Sequence, residues 1–162
     1  VRTLPILALA LALPAGPVAS QDLAFSPSAT ETCLGTGADF RSCVGLSAEA
    51  CINDSDGGYS TVGMSGCFSR EYEWWDDRLN LSYGFAMDFA KQSDVDNAGF
   101  GPSQADALRD MQRAWITFRD ATCAYERSHW GGGTGAGPAG AECMMRETAE
   151  QTWYLESMVT PG

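Results

Sequence analysis

The sequence predicts an all-α protein, a small disulfide-stapled helical bundle built around two long antiparallel helices. Three observations carry that prediction. Two long segments place apolar residues at alternating steps of three and four, the spacing that keeps one stripe of a helix against a core. Six cysteines follow an export-type leader, which points to disulfides. Clusters of Gly, Asn and Asp separate the helical segments.

Residues 1–20 read as a secretory signal peptide. Arg2 supplies a positive start, residues 4–13 a short apolar run, and Val18-Ala19-Ser20 the small residues that a signal peptidase reads. The run is too short to span a bilayer, and no other segment reaches transmembrane length. Residues 21–162 are expected to form one helical domain, periplasmic or secreted.

Ser26 before Pro27 is an N-cap followed by proline at the first helical position, so a short helix is expected to reach about Cys33. Gly35 and Gly37 interrupt it. Residues 38–52 predict a second short helix with Cys43 and Cys51 near one face. Residues 53–58, NDSDGG, are a loop by turn chemistry. A long helix is expected from residues 61–64 to about 92, with Phe68, Tyr72, Trp75, Leu79, Tyr83, Ala86 and Phe89 or Ala90 as its inward stripe. Residues 93–102 form the connection. Ser103 caps the next helix, with Asp106 in a capping-box-like position.

That helix carries Leu108, Met111, Trp115, Phe118, Thr122 and Tyr125 inward and ends by Gly131. Residues 131–140, GGGTGAGPAG, read as an irregular loop. A last helix is expected over residues 141–159, with Met144, Thr148, Leu155 and Met158 inward. The cysteines are Cys33, Cys43, Cys51, Cys67, Cys123 and Cys143. Six allow about fifteen pairings. Local closure favours Cys33–Cys43, Cys51–Cys67 and Cys123–Cys143, each adding about 2–4 kcal/mol.

Without the leader the chain holds 9 basic and 21 acidic residues, a formal charge of −12. Such a chain lacks the cations that phosphate contacts require, so nucleic acid is excluded as a partner. A basic protein is electrostatically compatible.

Candidate catalytic and metal-binding groups are weak. His129 is the only histidine and has no nucleophile motif beside it. Glu71, Glu73, Asp76 and Asp77 surround Trp74 and Trp75; paired carboxylates beside aromatics can hydrolyse glycosides. On a helix the same acids form a solvated face with Arg70 or Arg78 as partners, which is the plainer account. Residues 53–58 resemble a calcium loop only in part, because Gly63 stands where the bidentate Glu belongs. No Cys-x-x-Cys and no Gly-Lys-Ser/Thr phosphate cradle occurs. No enzymatic activity, metal or cofactor is expected. Trp74 and Trp130 fit a helix stripe poorly and are candidate contact residues.

The segment QRAWITFRDATC at residues 112–123 resembles the hallmark of the bacterial lysozyme inhibitor LprI family. Cys67, Asp76, Leu79-Asn80 and Tyr83 on the preceding helix fit the same pattern, as do Cys143, Arg146 and Thr148 later. The resemblance covers residues 43–158. It implies an exported, helical, cysteine-paired, non-enzymatic protein, and inhibition of lysozyme by analogy with a lipoprotein member. This chain differs in lacking a lipobox and in carrying extra N-terminal cysteines.

Asn80, Tyr83, Gln112, Trp115 and Arg119 are expected to serve the helix seam as core residues, with Asn80 and Gln112 bonding across it. The partner-binding residues are expected to be Glu71, Glu73, Trp74, Asp76, Asp77 and Trp130. The expected partner is a lysozyme or another basic envelope protein. The alternative is an envelope structural or stress module binding peptidoglycan or another envelope protein.

Overall fold

The computed structural model describes residues 22–159, so the leader expected at residues 1–20 lies outside the described residues. Six helices follow in chain order: α1 (Ser28–Gly35), α2 (Phe40–Cys43), α3 (Leu46–Asp54), α4 (Thr61–Asp96), α5 (Gln104–Ser128) and α6 (Ala136–Val159). The protein is an all-α, disulfide-stapled bundle. Helix α5 runs antiparallel to both α4 and α6, and the most extensive packing is between the parallel pair α4 and α6.

Helix α1 starts at Ser28 with Pro27, not Ser26, in the cap position; Ser26 Oγ accepts the backbone N–H of Ser28 at 3.3 Å from just before it. The single helix expected over residues 38–52 is instead two, α2 and α3. The break is at Gly45, whose φ of +94° is a left-handed turn that a side chain would strain. Ser60 caps α4 by accepting the N–H of Gly63 at 2.9 Å.

Helix α4 is 36 residues long and buries Cys67, Glu71, Trp75, Leu79, Ser82, Ala86, Met87 and Ala90. The expected stripe is therefore right at its centre. At its end Ala90 takes the inward place and Phe89 is 64% exposed. The helix also continues past residue 92 to Asp96, because Asp94 has a role there. Its carboxylate accepts the N–H groups of Gln104 (2.6 Å) and Ala105 (3.1 Å) and the Ser103 hydroxyl (2.7 Å). Ser103 Oγ accepts the Asp106 N–H at 3.1 Å, as expected of a cap. Asp106 makes no reciprocal bond to Ser103; it pairs with Arg109 instead.

The expected stripe of α5 holds in its first half, where Leu108 is buried with Met111 and Trp115 packed beside it, and is turned by about one residue in its second half. Ala105, Leu108, Gln112 and Cys123 are buried, whereas Phe118 and Tyr125 are 59% and 66% exposed. The inward line of α5 thus follows its cysteine and its amide, and two aromatics that match helical period face solvent. Helix α6 begins at Ala136, inside the segment expected to be irregular. Pro138 sits in its first turn, where a missing N–H costs no helical bond. Met158, expected inward, is 49% exposed, and Met145 and Ala149 are buried beside Thr148 and Leu155.

The three local disulfides form: Cys33–Cys43 joins α1 to α2, Cys51–Cys67 joins α3 to α4, and Cys123–Cys143 joins α5 to α6. Two apolar clusters fill the interior. One gathers Ala48, Cys51, Ile52, Cys67, Trp75, Met145 and Ala149 under the N-terminal helices. The other gathers Leu79, Ala86, Met87, Ala90, Ala105, Leu108 and Leu155 at the opposite end. Paired Arg–carboxylate forks tie the layers: Arg41 to Glu150 (2.6 and 3.2 Å) and Arg78 to Glu156 (2.6 and 3.0 Å).

Candidate functional site

The acidic and aromatic residues at 71–77 do not form one surface. A helix turns about 100° per residue, so neighbours in sequence point in different directions. Glu71 points inward and is 0% exposed. It accepts the Thr30 hydroxyl (3.1 Å), the Gly45 N–H (2.8 Å), the Ala48 N–H (2.7 Å) and the Trp75 indole N–H (3.1 Å). Thr30 Oγ1 also accepts the Ser47 N–H at 3.1 Å. Glu71 therefore caps the free N–H groups at the start of α3 from a different helix. Buried at that junction, it is not a surface a partner can reach.

Glu73 and Asp77 are exposed, and Glu73 pairs with Arg70 at 3.1 Å. Trp74 is half-buried, edge-on to Trp75 at 4.6 Å and beneath Arg78 at 5.7 Å. Asp76 lies on the other flank of α4, where it accepts the Asn80 amide at 3.1 Å. Trp130 stands at the end of α5, 53% exposed. Gly135 lies against its ring so closely that a Cβ there would come within 2.2 Å of ring carbons. His129 is edge-on to Tyr125 at 4.5 Å.

Between α4 and α5 lies an open groove of ≈460 Å³. Helix α4 lines it with Tyr72, Asp76, Leu79, Asn80 and Tyr83; α5 lines it with Arg109, Gln112, Arg113, Trp115, Ile116 and Arg119. All five residues expected to form the seam, Asn80, Tyr83, Gln112, Trp115 and Arg119, meet here. Gln112 is the buried one, and it bonds to Gln151 of α6 at 2.9 Å rather than to Asn80. Asn80 is exposed and bonds within its own helix.

Arg119 is held in place. Its guanidinium lies 5.0 Å over the Trp115 ring and donates twice to Asp120 Oδ1, at 3.0 and 2.9 Å. Burial pushes the Tyr72 hydroxyl above the ordinary tyrosine range; Asp76 adds to that and Arg119 opposes it. Arg113 is mostly exposed and only loosely paired with Asp110, at 3.9 Å. A second, apolar cleft of ≈330 Å³ lies among Ala86, Phe89, Ala90, Leu108, Tyr154 and Met158.

Among the described residues no three His, Cys, Asp or Glu side chains converge as a metal site requires. Asn53, in the calcium-like loop, accepts the Tyr59 hydroxyl. Among the same residues no helix is long and apolar enough to cross a membrane.

The family described as "Lysozyme inhibitor LprI" matches residues 51–155. The chain belongs to the LprI family. The LprI match runs from Cys51 in α3 to Leu155 in α6, so it takes in the whole α4–α5 groove and the bridges Cys51–Cys67 and Cys123–Cys143. It leaves α1 and α2, with Cys33–Cys43, outside. LprI proteins are non-enzymatic binding proteins. A relative from Rhodobacter capsulatus, described as "Uncharacterized 17.7 kDa protein in puhA 5'region", is 28% identical over 164 aligned positions. The alignment covers 96% of this chain and 96% of the relative. No solved structure matches.

Tyr72, Arg109 and Arg113 escaped the sequence reading as site residues. Their signal was there: Tyr72, Asp76 and Asn80 step by four along α4, and Arg109 and Arg113 step by four along α5. Following the polar stripe as well as the apolar one finds them.

Proposed function

We propose that this LprI protein is an exported inhibitor that binds a lysozyme, in the periplasm or outside the cell. The observation that carries this reading is the family match across α3–α6. The charge supports it: a chain of formal charge −11 attracts a basic enzyme, speeds encounter and favours the correct orientation at low salt. Glu73 and Asp77, turned outward beside Trp74, are the contact residues in this reading, with Trp130 as a second contact. Aromatic side chains that keep one face exposed supply contact area at little entropic cost.

The test is a lytic assay with the purified oxidised protein against a basic lysozyme. Inhibition at micromolar protein is expected at low ionic strength, weakening as salt screens the exposed acids. Replacing Glu73 and Asp77 by lysine should weaken it further without altering the fold. An absence of inhibition at micromolar protein in low salt overturns the reading.

A further inference from the structure

We infer that the α4–α5 groove is a binding site for an acidic amino-sugar glycan, one bearing a carboxylate beside its N-acetyl sugar rings. This site is separate from the outward acids assigned to the lysozyme contact. Its lining has the three elements that such a ligand needs. Tyr83 and the half-buried Trp115, whose ring Arg119 covers on one side, line the groove with aromatic surface on which the C–H face of a pyranose ring can pack. Asn80 spends its amide on Asp76, which leaves its carbonyl oxygen without a partner among the described residues, ready for a hydroxyl or an amide N–H. Arg109, Arg113 and Arg119 bring three guanidinium groups to one wall of a chain that is otherwise strongly acidic.

Those three cations differ in how free they are. Arg119 is only 11% exposed and is committed to Asp120 and the Trp115 ring, so it fixes the platform. Arg109 is paired with Asp106 at 2.5 Å, one helical turn away. Arg113 is 73% exposed and 3.9 Å from Asp110, a pair too loose to hold it. Arg113 is therefore the group that turns to a ligand carboxylate, with the fork geometry that suits it. An uncharged sugar would leave that group unused. A bare anion would leave the aromatic faces and Asn80 unused.

The experiment titrates the ¹⁵N-labelled oxidised protein with three probes: the N-acetylglucosamine–N-acetylmuramic acid disaccharide, a neutral N-acetylglucosamine disaccharide, and acetate. The acidic disaccharide should bind at millimolar concentration or below and shift amide signals along residues 76–83 and 109–119. It should bind about tenfold more tightly than the neutral one, a difference of about 1.4 kcal/mol. Arg113→Ala should erase that preference, and Asn80→Ala should weaken both sugars. Both residues are exposed, so the variants should fold, and unchanged circular dichroism and thermal midpoint check this. Equal binding of the neutral disaccharide, equal binding of acetate, or no binding of any probe overturns the proposal. Lysozyme inhibition is read in a separate assay, so either idea can fail without the other.

Discussion

Removing the Glu71 carboxylate should unsettle the whole N-terminal third of the protein. Four donors converge on it at 2.7–3.1 Å, from α1, the α2–α3 turn, the first turn of α3, and Trp75 of α4 itself. In Glu71→Ala all four lose their acceptor inside a closed interior. Each buried donor left unpaired costs about 1–3 kcal/mol. Water entering the space vacated by the side chain can recover part of that. Taking the low end for each donor, the loss is about 3–5 kcal/mol, or roughly a 10–15 °C fall in thermal midpoint for a chain of this size.

Glu71→Gln separates hydrogen bonding from mere space filling. Its carbonyl oxygen can still serve the three donors on Oε1, but its NH₂ faces the Ala48 N–H, donor against donor. A smaller loss of about 1.5–3 kcal/mol is expected. Urea unfolding with the disulfides intact, followed by far-ultraviolet circular dichroism and tryptophan fluorescence, gives the order parent, Gln, Ala. A Glu71→Ala protein within about 1 kcal/mol of the parent would refute the reasoning, as would a Gln variant less stable than the Ala variant.

Thr148 Oγ1 is buried without a hydrogen-bond partner among the described residues, so Thr148→Val should stabilise the protein by about 1 kcal/mol in the same unfolding assay; destabilisation would reveal a partner for the hydroxyl. The Ser103 hydroxyl and then the N–H groups of Gln104 and Ala105 hold the Asp94 carboxyl below its ordinary value of 3.8. A carboxyl lowered on folding stabilises above its unfolded value and loses that contribution as pH falls through the folded one. Asp94→Asn should therefore be less stable at neutral pH, and the gap to the parent should close as pH drops below 3.8; a gap that persists into strong acid contradicts the assignment.

The helical class, the long α4, the Ser103 cap and the three bridges were all legible because each depends on neighbours in sequence. Period, cap chemistry and short loop closure are local properties. Structure and expectation differ where the next helix chooses the face. The second half of helix α5 is turned by about one residue because Cys123 answers to Cys143 of α6, and Phe118 and Tyr125 face outward in consequence. The split at Gly45 escaped because a glycine in a helical pattern does not announce a positive φ. Here that turn presents its N–H to a carboxylate 26 positions away.

The sequence by itself determined that this is a cysteine-paired, strongly acidic helical protein, and the segment at residues 112–123 carried its resemblance to LprI proteins. Composition and periodicity suffice for the helical class, since burial of one stripe per helix is a requirement each helix carries alone. Which acids are surface and which are interior was decided only by the tertiary structure. Glu71 and Glu73 are two residues apart, yet one caps α3 from within and the other meets solvent. The groove likewise exists only because α4 and α5 lie antiparallel. That arrangement sets Asn80 and Tyr83 across from Trp115 and Arg119, residues that the family resemblance assigned to a common core.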